Sequence, residues 1–289
     1  MANFRWTGAA GDGNIQTAGN YAGGAAPSAD ADNLYFDTNV DPNTGHPTNG
    51  TLAFAFGEIV VSPGVNVAIG NDSGQPTFGG AGDTIPLIRL AGTARRHRLA
   101  CGADAVTRLS CELGTGQQVH LISGTYTTTV AERCEVLPGA SAVTTNIRVM
   151  RGGKVVAATN GTAITLLELD DASSAEVTSR AITTVYVEGA SNLTTKGSTV
   201  VTTGHCTSGS TYNKQSAATD TTWNLRGRGS KITPAGYASP ATANTITTLN
   251  RHGTATLIKS AGGATLTVTN DNLFGTESDT NNTPITFNP

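Results

Sequence analysis

The sequence is poor in charge. Only 13% of its 289 residues are Asp, Glu, Lys or Arg, about half the usual share. With a formal net charge of −3 and a pI near 5.9, a general electrostatic grip on nucleic acid or on an acidic membrane is not expected. Aromatic residues make up 5% of the chain, and Tyr and Trp are too sparse beside its basic run at 95–98 for single-stranded nucleic-acid binding. The four cysteines, Cys101, Cys111, Cys134 and Cys206, form no CxxC pair, which excludes zinc ribbons and thioredoxin-like chemistry. They are expected to be buried, reduced thiols that act as small apolar residues. No run of about eighteen apolar residues is present. The opening residues lack the apolar stretch of a secretory signal, so the chain is expected to start in the cytosol.

Threonine is abundant. Its 47 copies outnumber the 18 Lys+Arg and 21 Asp+Glu together, and they are joined by 35 Gly. β-Branched residues fit a pleated surface better than a helix, and glycine serves corners. This composition predicts strands and turns and excludes a helical bundle.

An internal repeat runs through the second half. Apolar-x-apolar segments end at Val149, Leu169, Val187, Leu225 and Leu249, with Cys206 midway across the double step between Val187 and Leu225. A period near twenty residues with Gly/Asn/Ser corners fits a parallel β-solenoid, in which each coil pairs with the coils above and below it. Cys206 then reads as an inward-facing rung. The corners are Arg151-Gly152-Gly153-Lys154, Glu188-Gly189-Ala190-Ser191-Asn192, Arg226-Gly227-Arg228-Gly229-Ser230 and Ala261-Gly262-Gly263-Ala264. Threonines stacked on the outer faces would account for the composition.

The first half is less regular. Strands are expected at Leu34-Tyr35-Phe36, Leu52 to Phe56, Glu58 to Val61, Pro86 to Leu90 and Val119 to Ile122, with insertions at Asp41 to Gly50 and Gly70 to Gly82. The expected fold is all-β, a single-stranded right-handed parallel β-helix with an N-terminal cap and loop insertions. An antiparallel β-sandwich or jelly roll is the alternative. Residues 1–85 are expected to form the cap and first coils, and residues 86–289 the solenoid body, in one continuous domain.

Trp6-Thr7-Gly8, Gly11-Asp12-Gly13-Asn14, Asn20-Tyr21, Gly23-Gly24, Pro27, Asp30 and Asp32 precede Leu34-Tyr35-Phe36. This segment resembles the opening of β-helical (pectin-lyase-like) autotransporter-type passengers and phage virion proteins. It departs from their pattern at Ile15 and Tyr21, where Trp is usual. The resemblance implies a first-coil cap on a right-handed β-helix.

The residues with side chains suited to chemistry are scattered. Carboxylate candidates are Asp170-Asp171, read as a solvated turn; Glu132 with Glu135, read as surface residues; and Asp220. Asp12, Asp30 and Asp32 could hold Ca²⁺ if the opening segment folded back on itself, but read more simply as turn formers. His46, His97, His120, His205 and His252 stand singly, and His205 and Cys206 would face opposite ways in a strand. No catalytic, cofactor-binding or metal site is therefore assigned. The densest charge feature is Arg95-Arg96-His97-Arg98, with Arg89 and Arg108 nearby. It reads either as a solvated loop or as an assembly contact in which Arg95, Arg96 and Arg98 grip an acidic patch on a neighbouring subunit.

The expected function is structural and non-enzymatic: a virion protein of a tailed bacteriophage, assembled in the host cytoplasm, that decorates the capsid and cements its shell. Its expected partners are copies of itself, as a trimer held by apolar faces, and the major capsid protein or other virion subunits. No cofactor, nucleic acid or membrane is expected. A secreted adhesin or autotransporter-like passenger, a tail fibre or spike component, and a polysaccharide-degrading β-helix enzyme are the alternatives.

Overall fold

The computed structural model describes residues 2–72, 74–80, 82–157, 161–207, 209–227, 230–234, 244–252, 256–257, 266–274 and 285–287. They are all-β, with one short 3₁₀ turn at Ala18–Asn20 and no α-helix among the described residues. Strands of successive coils pair in parallel, as a β-solenoid requires and an antiparallel sandwich does not. The chain divides into two compact units, Met1–Asn146 and Ile147–Pro289.

In the first unit, Asn3–Arg5, Asn33–Phe36, Glu58–Val61 and Thr84–Leu90 stack in order, with Arg96–Glu112 and Gln118–Glu132 following. One inward column runs Phe4, Leu34, Ile59, Ile88, Leu109 and Thr129. A second, Phe36, Val61, Leu90, Cys111 and Ala131, is wholly buried. The steps from Leu34 to Ile59 and from Ile59 to Ile88 are both long, and unequal, because these coils carry the expected insertions. The insertion at 70–82 contains a strand, Thr77–Phe78, paired with Thr51–Leu52 and with Ala100-Cys101. The strand expected to reach Phe56 stops at Leu52. Beyond it Phe56 turns inward to meet the Phe78 ring edge-on at 5.8 Å.

The opening segment covers the outer edge of the first strand. Trp6 bridges Tyr21 antiparallel, Ala22 N–H donates to Arg5 O at 2.9 Å, and Thr7 N–H donates to Asn20 O at 2.7 Å. Trp6 is fully buried, with its indole N–H on Gly45 O at 2.8 Å. Residues 20–22 thus occupy backbone groups that would otherwise template edge-to-edge association.

In the second unit the rung spacing is regular. Leu169, Val187, Cys206 and Leu225 stack in register at a nearly constant step, all at or below 1% exposure. Asp170 N–H donates to Val149 O as Glu188 N–H donates to Leu169 O, which adds Val149 to the column. Leu249 is a correction: it stacks on Trp223, and Arg251 lies over Leu225. A slip of two positions keeps every side chain on its original face, so alternation alone does not detect it. The observed register is supported by the paired contacts of Arg251 with Asp271, the first Nε–Oδ1 at 2.8 Å. It also aligns an outward amide ladder, Asn224–Asn250–Asn272, with bonds of 2.8 and 2.9 Å.

Corners form at Arg151-Gly152, Asp171-Ala172 and Gly189-Ala190, all with left-handed backbones. A buried serine column lines this edge: Ser173 N–H donates to Ser191 Oγ and Ser191 N–H to Ser210 Oγ, each at 3.1 Å, with Ser230 also buried. Of the other expected corners, residues 228, 229 and 261–264 lie outside the described residues. Threonines pair outward on successive coils, as Thr184, Thr203, Thr222 and Thr248 show. At the far edge Ile285–Phe287 runs antiparallel to Leu266–Val268.

The interior of the second unit is not wholly apolar. Lys214 and Asp220 both point inward and are fully buried, with Nζ–Oδ2 at 3.2 Å. Asp220 Oδ2 also accepts from Tyr212 OH at 2.6 Å and Trp223 Nε1 at 3.1 Å, and Oδ1 accepts Val201 N–H at 2.9 Å. Lys214 donates to Ala218 O at 2.7 Å, and the Tyr212 and Trp223 rings stack at 3.9 Å. Asp220 is therefore a core residue, not a surface carboxylate.

Candidate functional site

The arginine run is not a loop beyond Arg95. Arg96, His97 and Arg98 open the strand Arg96–Glu112, whose alternation sends His97 inward and the flanking arginines outward. Arg96 lies in register with Gln118 and Arg98 with His120. Asp72 faces both arginines, at 2.6 Å from Arg96 Nη1 and 3.7 Å from Arg98 Nη1. Gln118 donates to Glu135 Oε2 at 2.7 Å. The His120 imidazole is held below its ordinary value by partial burial and by Arg96 and Arg98, against the opposing pull of Asp72 and Glu135.

A groove of about 480 Å³ lies over this column, lined by Asn71, Asp72, Arg95, Arg96, Gly116 and Gln118. Arg95 also borders an adjoining depression with Thr93, Thr115, Gly116 and Gln117. Arg95 is exposed and has no ion-pair partner among the described residues. Of the three expected contact residues, Arg96 and Arg98 already share the Asp72 carboxylate within the chain, and Arg95 does not. Arg89 is likewise occupied: it meets Glu112 through two bonds, of 3.1 and 2.6 Å. Arg108 is exposed on another column. Chemically, the groove offers a planar guanidinium fork with amides beside it, an arrangement suited to a carboxylate.

His97 anchors the underside of this site. It is fully buried, and its Nδ1 accepts Ile69 N–H at 3.2 Å. Burial, reinforced by nearby His46, pushes it down to about 4. The folded state therefore holds His97 neutral where the unfolded chain protonates it, so stability is full above about pH 6.5 and declines as pH falls toward 4. Protonating the unfolded chain alone over that interval costs the fold roughly 3 kcal/mol. Urea denaturation at pH 7 and pH 4 should show this loss, and His97→Gln should remove much of it.

The remaining candidates separate. Asp12 accepts from Thr17 and Asn20 side chains and from Asn14 N–H; Asp30 accepts Ala55 N–H, and Asp32 accepts from Ala2, Ser28 and Ala29. These are turn and strand-end contacts. No group of three or more His, Cys, Asp or Glu able to hold a metal occurs among the described residues. Asp170 and Asp171 form an exposed corner in which Asp171 N–H donates to Asp170 Oδ1 at 2.8 Å. His205 faces outward, stacked on Tyr186 at 4.6 Å, while Cys206 faces inward and is pushed up to about 12 by burial.

A shallow groove of about 280 Å³ in the second unit brings Glu168, Asp170 and Glu188 together beside Arg148 and Tyr186. It escapes sequence reasoning because its residues lie on three coils, yet Arg148, Glu168 and Tyr186 recur at rung spacing. Three carboxylates on one groove are the grouping among the described residues that bears on a glycoside-cleaving pair. None of the three carboxylates is buried, and Glu168 stands 4.0 Å from the Arg148 guanidinium. Comparison of the chain with protein-family models, curated proteins and solved structures gives no match.

Proposed function

We propose that the protein is a structural component of a tailed-phage particle that decorates the capsid and cements neighbouring shell subunits, with Arg95 as its principal anchor. The phage reading rests on the resemblance of the opening segment to β-helical virion proteins. The mode of attachment rests on one observation: an exposed arginine with no ion-pair partner among the described residues, immediately before a strand paired on both sides, bordering an open polar groove. A rigid mount lowers the ordering cost of each contact.

The surface alters one part of the expectation. Phe274, at 45% exposure, is the only exposed large hydrophobic residue among those whose burial is described. Side-by-side stacking of flat solenoid faces suggests apolar faces that hold a trimer, but the alternation that buries the rungs leaves threonine, asparagine and charge outside. Contacts within a trimer, and to the acidic surface of a shell protein, would then be polar and salt-sensitive.

Arg95→Glu should lower affinity for particles stripped of this protein about tenfold, equivalent to roughly 1.4 kcal/mol, with the difference shrinking at raised salt. Its circular dichroism spectrum and unfolding midpoint should match the wild type. Binding to particles is measured by co-sedimentation, and equal occupancy of the two proteins would remove the anchor.

A further inference from the structure

Residues 67–70 are buried but belong to no strand. Ala68 N–H donates to His46 Nδ1 at 3.3 Å, Ile69 N–H to His97 Nδ1 at 3.2 Å, and Gly70 N–H to Pro47 O at 2.8 Å. Ile69 O accepts Arg98 N–H at 2.6 Å, and a Cβ on Gly70, whose φ is 69°, would fall 2.7 Å from Arg98 O. The segment is thus seated on the backbone of Arg98. Two residues after Gly70 comes Asp72, the carboxylate that Arg96 and Arg98 share. Two histidines therefore hold the root of the insertion that covers these arginines.

An imidazole nitrogen that accepts an N–H uses its lone pair, so the ring proton of each histidine sits on Nε2. A second proton would have to enter at Nδ1, where it would face an N–H donor and cost the segment its hydrogen bond. His97 is fully buried and its Nε2 has no hydrogen-bond partner among the described residues, so an imidazolium there would find no acceptor on either nitrogen. The charges around the pair offer little relief. His46 opposes a charge on His97, and exposed Asp41 favours one on His46 alone. Arg96 and Arg98 flank His97 on its own strand, His120 lies beside Arg98 on the next coil, and Asp72 is already taken by both arginines. Protonation therefore requires the segment to lift away.

We propose that His46 and His97 form an acid-released latch: as pH falls, the segment 67–70 lifts, Asp72 leaves Arg96 and Arg98, and these two join Arg95 in gripping an anionic partner. The link to attachment rests on the arginine-anchor reading above; the latch itself does not. In the open form His97 titrates at its ordinary value near 6.5, against about 4 in the closed form, so acid favours opening between the two. From pH 7 to pH 5 the opening equilibrium should rise about twentyfold through His97 alone. A partner that engages only the open form then binds tighter in the same proportion.

Residue-resolved amide hydrogen exchange on the isolated full-length chain, corrected for intrinsic exchange, reads the latch at pH 7 and pH 5. The Ala68 and Ile69 amides should open about twentyfold more readily at the lower pH, while the rung amides of Ile88 and Leu109 stay far better protected at both. His97→Gln, whose amide oxygen can still accept Ile69 N–H, should flatten the response. Unmasking is read with sulfated dextran, whose charge is the same at both pH values. The wild type should bind it up to about twentyfold tighter at pH 5, Asp72→Asn should bind tightly already at pH 7, and the double variant Arg96→Gln, Arg98→Gln should lose most of the rise. Ile69 exchanging in step with the rung amides, or unchanged between the two pH values, would overturn the latch. An equal rise in the arginine double variant would overturn the unmasking. The wild-type exchange decides the latch even if a glutamine variant fails to fold, and loss of the Arg95 anchor on particles would leave that result standing.

Discussion

Replacing Asp220 with alanine is expected to destabilise the second unit by about 3–5 kcal/mol, the range for removing one partner of a buried ion pair. The side chain holds four donors at once: Lys214, Tyr212, Trp223 and Val201 N–H. Without it the Lys214 ammonium remains fully buried with Ala218 O as its remaining hydrogen-bond acceptor. Burial already pushes the Lys214 amine down against the support of Asp220, so its charge is held at a cost. The double variant Lys214→Met, Asp220→Leu should recover most of the loss, because replacing both charges by apolar groups of similar size is often neutral. Equilibrium denaturation of the three proteins checks this. A loss below about 1 kcal/mol for Asp220→Ala would mean that the pair is wet or unformed.

Gly204→Val is the second severe substitution. In the column Leu167, Val185, Gly204, Trp223, glycine stands where the others carry side chains. A Cβ there would fall inside van der Waals contact with three ring carbons of Trp223. The indole has no room to yield, since it stacks on Tyr212 and its N–H is tied to Asp220. Overpacking of this kind costs about 3 kcal/mol, with loss of soluble protein as the practical readout. Trp223→Leu should partly rescue Gly204→Ala, because it removes the ring that the new methyl meets. A Gly204→Val protein as stable as the wild type would contradict the packing described.

The rungs Val149, Leu169, Val187, Cys206 and Leu225 are legible in the sequence because coil length there is nearly constant and inward positions alternate strictly. The same alternation carries a further signal. Val177, Thr195 and Lys214 occupy one inward column at rung spacing, which places a lysine in the core and calls for a buried counter-ion. The repeat misplaces Leu249 because a slip of two positions preserves facing, and the deciding features are Arg251 and the asparagine ladder. In the first unit, long coils of unequal length erase the period, so strands are visible singly and their stacking is not. The arginine groove is half legible. Sequence shows four basic side chains in a row, but strand alternation removes His97, and the insertion on the preceding coil brings Asp72 onto Arg96.

The central claim is that parallel coils climb around a shared interior with Val187, Cys206 and Leu225 one above another. A crystallographic or cryo-electron density map at side-chain resolution tests it most directly. It should show these three residues in adjacent parallel strands facing the same interior, with the Lys214–Asp220 pair enclosed beside them. Strands from this region paired antiparallel in two facing sheets, or Val187 and Cys206 on opposite faces, would contradict the account.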